Sequence, residues 1–238
     1  MRKFFLTAFV LAASLVVAST GLALEKTAAR MTDDSDGGWA AGTQTCAVNY
    51  YNTCNGWVWI WSGWSAGDRV GVSFDGCGSS CSLDASDTYF WTAAPSGYGF
   101  TGTADVAAAD ANDCPGAPIA SQALLPASGW NTLVWGVAVP DNFVVSVAFA
   151  ADQGLPNPVA FPTDHPAAGP TGPAGCGTCY PTTRENHTYY YGTDASPLCP
   201  GSALNDGICD AQMLFTANLS CTVSVEDQSW GAVKNLYR

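Results

Sequence analysis

Three groups of side chains in this sequence are spaced for chemistry. The first is Gly56-Trp57-Val58-Trp59-Ile60-Trp61-Ser62-Gly63-Trp64. Alternate residues of a β-strand share a face, about 7 Å apart, so Trp57, Trp59 and Trp61 would form an indole ladder with Trp64 just beyond it. Val58 and Ile60 would take the other face. If that aliphatic face is core, the indoles lie near solvent, where they would stack on sugar rings or dock a partner, with Tyr189, Tyr190 and Tyr191 as further aromatics. Tryptophan is well buried on average, so the stronger expectation is an indole face in the core or under a loop such as 151–187.

The second group is Cys176-Gly177-Thr178-Cys179, with the two histidines His165 and His187 nearby in sequence. A redox dithiol needs its first cysteine at a helix start, and no such strand-to-helix pattern surrounds this motif. Zinc needs four tetrahedral ligands, and the order His165, Cys176, Cys179, His187 matches no standard finger spacing. Structural disulfides are the expected role. All ten cysteines (Cys46, Cys54, Cys77, Cys81, Cys114, Cys176, Cys179, Cys199, Cys209 and Cys221) lie in the chain beyond residue 45. An even number in an oxidising compartment implies up to five bridges, with about 945 possible pairings.

Acidic loops make the third group: Asp33-Asp34-Ser35-Asp36, Asp84 with Asp87, Asp110-Ala111-Asn112-Asp113, and Asn205-Asp206 with Asp210. Calcium takes six to eight oxygens, and Asn205, Asp206 and Asp210 are the preferred calcium candidates. The plainer reading is solvated turn acids. Apart from calcium, no cofactor is implied. Catalytic sets are thin. A glycosidase needs two facing carboxylates, yet Glu25, Glu185 and Glu226 are the only glutamates and the aspartates offer no preferred pair. A serine hydrolase would depend on His165 or His187 as base, and neither G-x-S-x-G nor a phosphate-cradling glycine loop occurs in a fitting context.

The elements that must position these groups read as strands. Period-two alternation dominates and no long helical pattern competes with it. The best hairpin runs over 133–149: Leu133, Trp135, Val137 and Val139 share one face, and after Pro140-Asp141-Asn142 so do Phe143, Val145, Val147 and Phe149. A second pair joins 57–61 to 70–74 through the turn Ser65-Ala66-Gly67-Asp68. Shorter candidates lie at 89–93 and 98–108. Alternation from Cys209 to Val225 would span about 60 Å if extended, so a bend or break is expected near Asn218. The seven prolines of 151–187 argue for a long Pro/Gly-rich loop and against a central strand. Trp230, Val233, Leu236 and Tyr237 fall at near-helical spacing, and the basic ends Lys234 and Arg238 suit a helix C-terminus. Residues 227–238 are thus expected to form a short amphipathic helix or a sorting tail.

The N-terminus reads as an export signal. Arg2 and Lys3 precede an apolar stretch to Ala18, and small residues at Gly21 and Ala23 suit a cut after residue 23. The apolar run falls short of the roughly 20 residues that span a bilayer, and no transmembrane segment is expected in the mature chain. Cleavage takes the formal net charge of the 238 residues from -12 to -14, which disfavours nucleic acid and anionic membranes. Residues 24–45 read as a flexible mature N-terminus. Asn186-His187-Thr188 and Asn218-Leu219-Ser220 are glycosylation sequons.

The expected fold is therefore all-β: one disulfide-stapled antiparallel β-sandwich of jelly-roll type over 46–226. The expected location is secreted, extracellular or periplasmic. The expected role is a non-enzymatic surface, matrix or adhesion component, with a glycan or another surface protein as partner and self-association through strand edges open. A carbohydrate-binding module using the Trp ladder is the alternative, and a secreted hydrolase the third reading.

Overall fold

The computed structural model describes residues 25–30, 45–54, 56–77, 80–92, 102–152, 159–165, 169, 186–191, 202–203 and 211–221. Over these the chain is all-β, without a helix. The strands are β1 (Glu25–Arg30), β2 (Thr45–Asn49), β3 (Trp57–Ser62), β4 (Arg69–Asp75), β5 (Cys81–Thr92), β6 (Gly102–Ala109) and β7 (Pro115–Ala123). There follow β8 (Gly129–Val139), β9 (Asn142–Phe149), β10 (Val159–Asp164), β11 (Thr188–Tyr191), β12 (Ser202–Ala203) and β13 (Phe215–Cys221). One antiparallel sheet has the order β1-β3-β10-β5-β13-β2, with β8 also paired to β5; the other has the order β12-β11-β4-β9-β6-β7.

Alternation places the core. Leu133 and Val139 of β8 are buried while Val134, Gly136 and Ala138 are exposed. Phe143, Val145, Val147 and Phe149 of β9 join Val70, Val72 and Phe74 of β4, Leu83 and Phe90 of β5, and Phe161 of β10 in one cluster drawn from both sheets. Phe161 sits among four rings, with centroids 4.8 Å from Phe90, 5.7 Å from Phe149, 5.9 Å from Trp64 and 6.0 Å from Phe215.

Neither expected hairpin forms. β8 pairs with β5, and β9 pairs with β4 and β6. The turn at Pro140 carries the chain from one sheet to the other. The same holds for β3 and β4, which belong to different sheets. Their connecting turn forms as expected: Asp68 N donates to Ser65 O at 3.0 Å, Ser65 N donates to Asp68 Oδ2 at 2.7 Å, and Gly67 takes the left-handed region at φ 91°. A hairpin and a crossover between facing sheets bury the same alternate residues, so the apolar pattern does not separate them.

Two further expectations are corrected. Residues 151–187 are not a loop throughout, because β10 is a fully buried strand between β3 and β5. Pro162 is tolerated there by position. Its carbonyl accepts Leu214 N at 3.3 Å, and N–H and C=O of one strand residue point the same way. The missing donor therefore faces the Leu214 side and leaves the β3 ladder intact. Residues 24–45 also contain a strand, since β1 pairs with β3 from Glu25↔Ser62 to Arg30↔Trp57.

The interruption expected near Asn218 does not fall in the C-terminal strand itself. β13 covers Phe215–Cys221 and pairs with β2 from Thr216 to Ser220 without a shift. Its register against β5 shifts between Asn218 and Leu219, where the extra residue is Asp84 of β5. The β5–β8 ladder is irregular too, between Leu83 and Ala85, with Gly136 at φ 62° on the β8 side. Glycine at positive φ is the usual residue of such a bulge.

Gly71 of β4 is required for a different reason. A Cβ there would lie 2.8 Å from Ser146 Cβ and 3.0 Å from Val144 Cγ1 on β9. Gly71→Ala is expected to destabilise the fold by about 1–3 kcal/mol through overpacking, read as a lower urea midpoint at unchanged slope. A wild-type midpoint would show that β4 and β9 separate freely.

Two disulfides are described, Cys46–Cys77 and Cys81–Cys221. Cys54 and Cys114 are disulfide-bonded as well, and no described cysteine is free. Cys81–Cys221 ties the start of β5 to the end of β13 across 140 residues. Taken alone, that closure restricts the unfolded chain by about 5 kcal/mol in the chain-entropy account.

Candidate functional site

The tryptophans of β3 do not form an open ladder. Trp61 is 7% exposed and Trp64 fully buried, while Trp57 and Trp59 are half-buried. Trp61 Nε1 donates to Thr163 Oγ1 at 2.9 Å, and Trp64 Nε1 donates to Trp61 O at 3.0 Å. Trp64 stacks on Phe149 at 5.1 Å, and Trp59 tilts over His165 at 4.2 Å. The opposite face is core as well, because Val58 and Ile60 pack with Tyr89, Ala160 and Leu214 in a second cluster. β3 is flanked by β1 and β10 and covered on both faces. Of the four indoles, only Trp57 and Trp59 keep part of their surface for a ligand.

The titratable groups are absorbed by the scaffold. Asp164, fully buried, accepts Gln212 N at 2.8 Å and Asn52 N at 2.9 Å. Gln212 Oε1 in turn accepts Thr188 Oγ1 at 2.9 Å and His187 N at 3.3 Å. This buried clasp links β10 of one sheet to β11 of the other. His187 Nδ1 donates to Ser73 O at 3.2 Å, and its ring stacks on Tyr50 at 3.5 Å.

The acidic loops behave similarly. Asp110 Oδ1 accepts Asn112 N and Cys114 N, closing its own turn. Asp87 accepts Asn218 Nδ2 at 2.8 Å, and Asp84 accepts Ser220 Oγ, both from β13. Asp113 accepts Ser73 Oγ at 2.8 Å and Tyr189 OH at 2.9 Å. The one described ion pair, Arg69 Nη1 to Asp105 Oδ2 at 2.7 Å, spans β4 and β6 over Ser146 Oγ of β9. Among the described residues no group of three or more His, Cys, Asp or Glu side chains could hold a metal. Asn205, Asp206 and Asp210 lie outside the described residues, as do Cys176, Cys179, Cys199, Cys209 and residues 227–238. The sequon asparagine Asn218 is buried in β13 and bonded to Asp87, so it offers no open acceptor for a glycan.

A surface feature that the strand patterns did not single out emerges at β7 and β8. The exposed large hydrophobic side chains of the described residues are Ile119 on β7, Leu125 in the connection, and Val134 on β8, the last two 85% and 74% exposed. The two strands meet where Gln122 Nε2 donates to Val134 O at 3.4 Å. Strand edges are commonly protected by charge or proline. β7 carries Pro115 and Pro118, but β8 (GWNTLVWGVAV) has neither charge nor proline. The signal available in the sequence was Val134, a large apolar residue alternating with the small residues Thr132 and Gly136.

Compared with known protein families, curated proteins and solved structures, the chain has no match. No helix of the described residues is long and apolar enough to cross a membrane.

Proposed function

We propose that the chain is a secreted, disulfide-stapled β-sandwich of jelly-roll type that acts without catalysis as an extracellular surface, matrix or adhesion component. The observation that carries this reading is the exposure of the large apolar side chains Ile119, Leu125 and Val134 on the uncharged strands β7 and β8 and their connection. The bridged cysteines and the export signal support an oxidising location. Carboxylates committed to turns and strand contacts support a binding role over a hydrolytic one.

Leu125→Glu with Val134→Glu in the full chain tests the reading. Both positions are solvent-facing, so secretion and near-ultraviolet circular dichroism are expected to stay at wild type. The fraction retained on the cell surface or matrix is expected to fall at least tenfold. Unchanged retention removes the proposal. A carbohydrate-binding role is favoured by the half-buried Trp57 and Trp59. A glycan array run beside a Trp59→Ala chain decides it: wild-type signal no higher than that of the variant removes this second reading.

A further inference from the structure

We propose that Cys46, Cys77, Cys81 and Cys221 form a two-bridge thiol–disulfide exchange site, which takes electrons from an external dithiol at its more exposed bridge and passes the break to the other. Cross-strand pairing gathers the four sulfurs. β2 pairs with β13 at Cys46↔Leu219, and β13 pairs with β5 at Cys221↔Cys81. Cys77 lies four residues before Cys81, in the connection between β4 and β5. Its Sγ is 3.7 Å from Sγ of Cys221, which is the surface contact of two sulfur atoms from separate bridges.

Access differs between the two bridges. Cys77 is exposed and Cys46 half-buried, whereas Cys81 is 4% exposed and Cys221 half-buried. Exchange proceeds by attack of a thiolate on a disulfide sulfur and depends on access, so the external reagent meets Cys46–Cys77 first. Attack at its half-buried sulfur, Cys46 Sγ, is the productive one, because attack at Cys77 would cap the relaying sulfur. The reagent's thiolate bonds to Cys46 Sγ, the Cys46–Cys77 bond breaks, and Cys77 leaves as the thiolate. Cys77 Sγ then bonds to Cys221 Sγ. The Cys81–Cys221 bond breaks, and Cys81 leaves with the electron pair and takes a proton from water. The second thiol of the reagent displaces Cys46 and closes the reagent into its own disulfide. In sum, two electrons and two protons pass from the dithiol to the protein. One bridge, Cys77–Cys221, replaces two, and Cys46 and Cys81 become thiols.

The structural consequence is specific. β13 exchanges its staple on β5 for one on the β4–β5 connection, and β2 loses its tether. The site thus couples a reductant outside the protein to the ladder that holds β2, β13 and β5 together.

Partial reduction of the full oxidised chain with dithiothreitol, alkylation at intervals and peptide mapping test the proposal. Mapping follows these four cysteines until they react. The expected first product carries alkyl groups on Cys46 and Cys81 and a Cys77–Cys221 linked peptide. A first product alkylated on Cys46 and Cys77, with Cys81–Cys221 intact, overturns it. In a Cys46→Ser, Cys77→Ser chain the relay is missing, and opening of Cys81–Cys221 is expected to slow at least tenfold. Opening at the wild-type rate also overturns it. Where the double variant is not secreted, the mapping of the wild-type chain decides alone.

Discussion

Phe161→Ala is expected to cost about 3–5 kcal/mol, the usual range for deleting a buried phenylalanine. The size follows from the position of the ring. Phe161 is fully buried on β10 and lies within 6.0 Å of Phe90, Phe149, Trp64 and Phe215. Those rings come from both sheets: Phe90 and Phe215 from that of β10, Phe149 from the other. Their strands are tied by backbone ladders and cannot close over the space of a lost ring, so a cavity adds to the transfer cost. For a domain of this size each kcal/mol moves Tm by about 2–4 °C, and a fall of roughly 8–15 °C is expected. Val134→Ala is the control, because surface changes usually stay within about 0.5 kcal/mol. Equal urea midpoints for the two variants would mean that Phe161 does not join the sheets.

The second large effect is expected at Asp164. Its carboxylate receives backbone N–H groups of Asn52 and Gln212, at 2.9 and 2.8 Å. A buried donor left unmet costs about 1–3 kcal/mol. The Gln212 donor is buried and the Asn52 contact part-buried, so Asp164→Ala should lose about 1–3 kcal/mol. Asp164→Asn keeps one acceptor but turns an amide NH2 toward one of the donors, and should fall in between. Hydrogen exchange reads the mechanism directly. The Gln212 amide should lose protection, together with Thr188, whose hydroxyl accepts Met213 N at 2.9 Å beside the Gln212 contact. Wild-type stability in both variants would show that the clasp does not hold β10 to β11.

Individual strands were legible because a period of two is a property of the extended backbone. β3, β4, β8 and β9 lie where alternation placed them, whereas β13 runs unbroken through Asn218. Partners were not legible. Pro140-Asp141-Asn142 and Ser65-Ala66-Gly67-Asp68 turn the chain as their residues demand, but both turns lead into the other sheet. Local chemistry specifies that the chain turns, while the choice between hairpin and crossover rests on contacts far along the sequence.

Three other positions show the same division. Pro162 argued against a central strand, yet its missing N–H falls where Leu214 needs only a carbonyl. Glu25–Arg30 has no apolar pattern, and it becomes a strand because β3 presents an edge for it to pair with. The indoles of β3 alternate as read, but with β10 and β1 beside the strand and aromatic clusters on both faces, Trp61 and Trp64 became core.

By itself the sequence determined an all-β chain, the apolar face of most strands and a set of cysteines suited to bridging, since these follow from residue type and backbone period. Only the tertiary structure decided which strands pair, which tryptophans remain near solvent, which large apolar side chains of β7, β8 and their connection stay exposed, and that Cys77 meets Cys221 at 3.7 Å. Those outcomes depend on contacts between residues as far apart as Thr45 and Ser220, and no local periodicity encodes a contact of that range.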